Sequence, residues 1–236
     1  YGGGGGKTIV KNEKGKILGE KVGDAKDPGL GAEVTHTIDA EVQYLLSNVL
    51  RRAGTASGVV MDVRTGEILA MASIPDYNPN DFIPKITPEK NKEYESAKIQ
   101  PWIDRAISPF PPGSTFKIPT ALVGATKGFA TRSYNCSSYV SYGSQRVKCW
   151  IASKGGSHGG LTLPKAIQQS CNPYFMQLAN AIGSKGMVDG FSMLGFGEKT
   201  GIPLPNESAG LVTGSRAWQN RHPNLRVTPV DMAFLP

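Results

Sequence analysis

Ser114 and Lys117 stand three residues apart in Ser114-Thr115-Phe116-Lys117, directly after Pro111-Pro112-Gly113. On a helix that spacing puts both side chains on one face, one turn apart. An amine so placed can reach the hydroxyl and take its proton if its pKa is lowered. The free N–H groups of a helix start favour the same site for anionic chemistry. The plain alternative is a Ser N-cap followed by a surface Lys. Ser170-Cys171-Asn172 lies 56 residues after Ser114, at the junction of two expected helices. A Ser there can relay a proton, and an Asn can hold an amide through both a donor and an acceptor. The alternative for Asn172 is a helix N-cap ahead of Pro173.

A second set of chemical side chains is Cys136, Cys149, His158 and Cys171, with 12, 8 and 12 residues between them. Three thiolates and one imidazole suit tetrahedral Zn²⁺. The spacing is not that of a common zinc finger. The competing reading is a Cys136–Cys149 disulfide across a hairpin, with Cys171 buried and His158 a loop residue beside Gly159-Gly160.

The elements that must position these residues are partly legible. A hairpin is expected at Thr8-Ile9-Val10 and Lys16-Ile17-Leu18, around Asn12-Glu13-Lys14-Gly15. It follows the five-glycine run Gly2 to Gly6, and Pro28-Gly29-Leu30-Gly31 ends this tail-like segment. A helix is expected from an Asp39 cap to Gly54, with Val42, Leu45, Leu46, Val49 and Leu50 on one face. Residues 57–63 and 67–73 read as a hairpin around Arg64-Thr65-Gly66, set within a covered sheet. Residues 74–107 start as loop. A helix begins near Ser114, and residues 131–160 read as irregular or hairpin structure. Helices are expected from Leu163-Pro164, from Asn172-Pro173 to about Ile182, and over 184–194. Residues 195–227 read as loop, before a last helix at Thr228-Pro229.

The chain has 236 residues, with 39% hydrophobic and 19% charged residues. That composition suits a globular chain and argues against a disordered one. No apolar run reaches the roughly 18–20 residues of a membrane span, and no signal-peptide pattern opens the chain. The net charge of +7 favours anionic surroundings. The charges are spread along the sequence, with no basic block interleaved with aromatics, so nucleic-acid binding is not indicated. Three Cys exclude a disulfide-dense scaffold.

The Ser-x-x-Lys and Ser-x-Asn motifs, taken together, form the pattern of the penicillin-recognising serine enzymes. The neighbouring motifs sharpen the resemblance. They include Thr37-Ile38-Asp39-Ala40 with Gln43, the stretch from Gly58 to Met71, Arg105-Ala106, and Pro112-Gly113-Ser-Thr-Phe-Lys-Ile-Pro. Phe196-Gly197, Thr200-Gly201-Ile202 and Val227-Thr228-Pro229 follow in order. The chain resembles a class B penicillin-binding protein from about residue 8 to its end. Cys149-Trp150, Ser157-His158-Gly159 and Ser170-Cys171-Asn172 are similar to the elongation-type branch, penicillin-binding protein 2.

The resemblance implies an α/β fold in which an antiparallel sheet is flanked by helices. Residues 1–36 would end an upstream pedestal region, and residues 37–236 would be part of a transpeptidase domain. It implies that Ser114 is acylated, Lys117 is its base, Ser170 relays the proton and Asn172 holds the substrate backbone. The implied reaction is D,D-transpeptidation of peptidoglycan stem peptides ending in D-alanyl-D-alanine, with β-lactams acylating the same Ser. No cofactor is implied for catalysis. A structural zinc on Cys136, Cys149, His158 and Cys171 is implied by members of that branch which hold one. The implied partner is a membrane glycan polymerase of the elongation machinery, and the implied location is the outer face of the cell membrane, through an N-terminal anchor. A β-lactamase, a D,D-carboxypeptidase, a β-lactam sensor and a zinc-stapled inactive piece are the alternatives.

The family's third motif is Lys-Thr-Gly on a strand of the cleft. Lys199-Thr200-Gly201 spells it but precedes Ile202-Pro203-Leu204-Pro205, and Pro does not fit a central strand. The expectation is therefore that the true motif lies past Pro236. A chain without it would lose one oxyanion donor, and so is expected to be weakly active or inactive.

Overall fold

The computed structural model describes residues 9–12, 14, 16–20, 31–83, 85–96, 100–143 and 145–234. The expectations for the glycine run and for Pro28-Gly29-Leu30 lie outside these residues. The chain divides into two compact units, Tyr1–Trp102 and Ile103–Pro236. The boundary expected after residue 36 falls inside the first.

In the first unit, β1 (Ile9–Lys11) and β2 (Ile17–Glu20) pair antiparallel, with a register shift between Val10 and Lys11. The Asn12 side chain closes their turn, accepting from the backbone N–H groups of Lys14 and Lys16 at 3.1 and 2.9 Å. Helix α1 (Ala40–Ala53) starts at the expected cap. The Asp39 carboxylate accepts from the N–H groups of Glu41 and Val42, and Gly54 ends the helix at φ 86°. Strands β3 (Ala56–Met61) and β4 (Ile68–Ile74) form the expected hairpin, with α1 packed against it.

The motif Thr37 to Gln43 stitches α1 to β4. Thr37 Oγ1 donates to the Ile68 carbonyl at 2.6 Å, and the Asp39 N–H donates to the Leu69 carbonyl at 2.9 Å. The Gln43 amide both donates to the Met71 carbonyl and accepts from its N–H, at 3.0 and 2.8 Å. Only three of the five residues of the expected apolar face are partly covered, Val42, Leu46 and Leu50. Leu46 and Leu50 close over Gly58, while Leu45 and Val49 stay 61% and 62% exposed.

Residues 74–107 hold more than the expected loop. A 3₁₀ turn spans Pro79–Phe82 and α2 spans Pro88–Ser96. Trp102 packs against Tyr77, Phe82 and Tyr94, at centroid distances of 5.1, 5.8 and 5.4 Å.

The second unit is built around two helices, α3 (Lys117–Thr126) and α5 (Asn172–Ile182). Between them run β5 (Tyr134–Cys136), the hairpin β6 (Tyr139–Tyr142) with β7 (Gln145–Lys148), β8 (Gly159–Leu161) and α4 (Leu163–Gln168). Strand β5 pairs with β8, so every pairing among the described residues is antiparallel. Helices α6 (Ser184–Met193), α7 (Arg216–Arg221) and α8 (Pro229–Phe234) follow. Sequence reading placed α7 in loop.

The core holds Phe116, Val123, Tyr174, Phe175, Leu178 and Phe191, all nearly or fully buried. Gly190 lets α6 close on α3, because a methyl there would overlap the Val123 side chain and meet its Cβ at 3.1 Å. The Thr120 hydroxyl ties α3 to α8 by donating to the Ala233 carbonyl at 3.3 Å.

Candidate active site

Ser114 lies in a 3₁₀ turn, Gly113–Phe116, that runs straight into α3. Gly113 enters the turn at φ 55°, a conformation that disfavours a side chain. Ser114 is therefore not an N-cap: the cap position is Pro112, and the Ser114 side chain is exposed. The Lys117 N–H donates to the carbonyls of Ser114 and Thr115, which fixes the turn. Lys117 is not the surface lysine of the plain alternative, since it is 2% exposed.

The Lys117 amine collects oxygens from both motifs. It donates to Ser114 Oγ at 2.8 Å, Ser170 Oγ at 2.9 Å, the Ser170 carbonyl at 3.2 Å and Asn172 Oδ1 at 2.8 Å. Burial pushes its pKa below the ordinary 10.5, against a smaller upward pull from Cys149 and Cys171. Desolvation disfavours the charged form of an amine. A neutral amine 2.8 Å from a serine oxygen can accept that serine's proton.

The residues that meet Lys117 come from the α4–α5 junction. Ser170 sits between the two helices at φ 45°, and its hydroxyl and its carbonyl both meet Lys117. Asn172 is the first residue of α5, and the cap position belongs to Cys171. This corrects the N-cap alternative. The Asn172 side chain spends its oxygen on Lys117, and its Nδ2 reaches the Lys148 carbonyl only at 3.4 Å. Lys199-Thr200-Gly201 lies in no strand. The Thr200 N–H and hydroxyl donate to Glu207 Oε1 at 2.9 and 2.6 Å, and these bonds hold the Glu207 carboxyl below its usual range.

The four soft donors also converge. The ligand atoms of Cys136, Cys149, His158 and Cys171 all lie within 4.8 Å of one another. His158 Nδ1 is 3.7 Å from the Cys136 sulfur and 3.5 Å from the Cys149 sulfur. All three cysteines are buried and unbridged, so the Cys136–Cys149 disulfide alternative is not formed. Burial pushes the Cys171 thiol well up, against a smaller downward pull from the Tyr174 backbone. His158 Nε2 is buried with no hydrogen-bond partner among the described residues. These four residues could hold a metal ion. Cys171 stands between Ser170 and Asn172, so the cluster and the lysine-centred site share one backbone segment.

The sequence reading overlooked the wall beside Asn172. Trp150 Nε1 donates to the Gln169 carbonyl at 2.8 Å, which pins the indole against the α4–α5 junction. The available signal was Trp150 next to Cys149.

Residues 56–235 match the penicillin binding protein transpeptidase domain. A peptidoglycan D,D-transpeptidase MrdA of Acinetobacter baumannii is 37% identical over 205 residues, covering 83% of this chain and 29% of that protein. The chain thus spans about a third of the curated relatives it matches. The solved complex of penicillin-binding protein 2 and MreC from Helicobacter pylori aligns with a TM-score of 0.76 at 26% identity. It covers 98% of this chain and 43% of that one. A structure described as the structural coordination of polymerization and crosslinking by a peptidoglycan synthase complex aligns at 0.74 and 29% identity, covering 99% and 43%. The fold is that of the penicillin-binding transpeptidases. The chain belongs to the penicillin binding protein transpeptidase domain family.

Proposed function

We propose that this chain carries the acyl-transfer centre of a peptidoglycan D,D-transpeptidase of the elongation type. The observation that carries the reading is the single buried amine of Lys117 held by Ser114, Ser170 and Asn172. Ser114 Oγ attacks the carbonyl carbon of the penultimate D-alanine. Burial lowers the Lys117 pKa, and in its neutral form the amine takes the hydroxyl proton. The C–N bond to the terminal D-alanine then breaks. Its nitrogen receives a proton through Ser170, which touches Lys117. An acceptor amine on a second stem peptide attacks the resulting ester, forming a new amide and restoring Ser114. Asn172 Nδ2, only weakly engaged by Lys148, is placed to hold the substrate's backbone carbonyl. β-Lactams would acylate the same Ser114. This chemistry calls for no cofactor.

The Cys136, Cys149, His158 and Cys171 set is read as a structural zinc site. Zn–S bonds of about 2.3 Å and Zn–N bonds of about 2.0–2.1 Å predict a tetrahedral S–N edge of about 3.6 Å. The observed 3.5 and 3.7 Å bracket it. With four protein donors the site is closed to water, and the ion would neutralise buried thiolates. Through Cys171 it would hold Ser170 and Asn172 in register.

Residues 1–36 are read as the end of an upstream region. The whole protein is read as working on the outer face of the membrane, beside a glycan polymerase. Among the described residues no helix is long and apolar enough to cross a membrane. The test is a D-alanyl thioester offered with a D-amino acid as acceptor. The reading expects slow formation of the aminolysis product by the chain, in keeping with a third motif expected past Pro236, and none by Ser114→Ala. Equal product from both would refute it.

A further inference from the structure

A pocket of about 390 Å³ opens beside Asn172, lined by Lys148, Cys149, Trp150, Ala152, Ser153 and Asn172. That volume falls within the range of small-ligand sites. We infer that this pocket is a specificity subsite for a carboxylate-bearing segment of the peptide substrate, with Lys148 as its charged residue and Trp150 as its apolar wall. The inference rests on the acyl-transfer reading above and names what that site selects.

Three observations support it. The first is position: Asn172 borders both the pocket and the Lys117 amine, so the pocket lies beside a peptide held at Asn172. The second is preorganisation. Trp150 is 44% exposed, yet its Nε1 is committed to the Gln169 carbonyl and Lys154 lies over its ring at 5.3 Å. A fixed, half-exposed indole offers a packing surface without the entropy cost of ordering it.

The third is charge. From Arg105 to Val188 the sequence holds nine Lys and Arg and no Asp or Glu. Both motif residues and the whole pocket lie in that stretch. On the β6–β7 hairpin, Tyr139 faces Lys148 across the pair and Arg146 stacks on Tyr139 at 3.7 Å, so the exposed face is basic and aromatic. Neither Lys148 nor Lys154 has an ion-pair partner among the described residues. A carboxylate entering the pocket therefore meets cations with no internal carboxylate competing for them. Such pairing strengthens where water is partly excluded.

The test uses the Ser114→Ala chain, so that only reversible binding is read. Two labelled peptides ending in D-alanyl-D-alanine are compared by fluorescence anisotropy. One carries a free internal carboxylate, and its twin carries the amide there. The inference expects the acid to bind about tenfold tighter than the amide, the scale of one charge-assisted contact. Lys148→Met should bring the ratio close to one. Lys148→Arg and the remote Lys127→Met should keep it. A ratio near one in the parent, or a ratio unmoved by Lys148→Met, overturns the subsite. Penicillin acylation of the unsubstituted chain is read in parallel. Acylation with no carboxylate preference sinks the subsite alone. A preference that Lys148→Met abolishes, with no acylation, sinks the acyl-transfer reading and leaves the subsite standing.

Discussion

Lys117 Nζ is held by both polar oxygens of Ser170, the hydroxyl at 2.9 Å and the backbone carbonyl at 3.2 Å. Ser170 makes this double contact from a left-handed backbone, at φ 45°. The carbonyl fixes where the amine sits, and the hydroxyl remains as the group that can carry a proton.

The two roles separate in Ser170→Ala. The carbonyl contact stays, so stability should change by less than about 1 kcal/mol. Loss of the relay should slow acylation by a penicillin about a hundredfold. Stopped-flow acylation and urea unfolding on the same samples check both values. A large loss of stability would mean that Ser170 is structural.

The buried amine makes a pH prediction. Lys117 has its pKa pushed below 10.5 by burial. The reacting form is neutral, so the acylation rate should climb about tenfold per pH unit and level off at that lowered pKa. The stability effect has a definite sign. Between the lowered pKa and 10.5 the unfolded chain holds a proton that the folded chain lacks, so stability rises with pH across that window. Below the lowered pKa both states are protonated and this contribution is flat. Lys117→Met should remove the rising limb of the rate and cut acylation at least a thousandfold. A wild-type profile still climbing at pH 10.5 would contradict a depressed Lys117.

Metal content gives a third prediction. Native mass spectrometry should find about one zinc per chain, held by three thiolates and one imidazole. Chelation or Cys136→Ser should lower the melting temperature and slow acylation together, because Cys171 lies between Ser170 and Asn172. A metal-free chain with unchanged melting and acylation would remove the ion from the account.

Gly190→Ala probes the scaffold. Alanine favours a helix, but the added methyl would overlap Val123, which is 1% exposed and has nowhere to move. The net effect should be a loss of about 1–3 kcal/mol in urea unfolding. A gain in stability would show that α6 and α3 are less closely packed.

Much of this arrangement could be read before the structure, for identifiable reasons. Ser114 and Lys117 are local, and one helical turn relates them. Asp39, Gly54, Pro164 and Pro173 mark helix ends through backbone chemistry that needs no tertiary contact. Helix α2 escaped because it shows no apolar stripe: among its residues only Tyr94 is buried. It is held by local pairs such as Lys90 with Glu93, and by the Tyr94 hydroxyl donating to Asp81 at 2.6 Å. Helix α7 is six residues long and rests on the Ser215 cap and the single anchor Trp218. The approach of Ser170 to Lys117 spans 53 residues, and no spacing rule reaches that far. Resemblance supplied it. The same distance problem left zinc and disulfide open in the sequence, and the structure brings the four ligand atoms together with the cysteines unbridged.

The central claim is that Ser114 is the nucleophile, activated by Lys117. Its most direct test is the intact mass of the chain after incubation with a fluorescent penicillin, read on wild type, Ser114→Ala and Lys117→Met. The account predicts one covalent adduct on wild type, mapped to the peptide containing Ser114, and none on either variant. An adduct that persists in Ser114→Ala would contradict it.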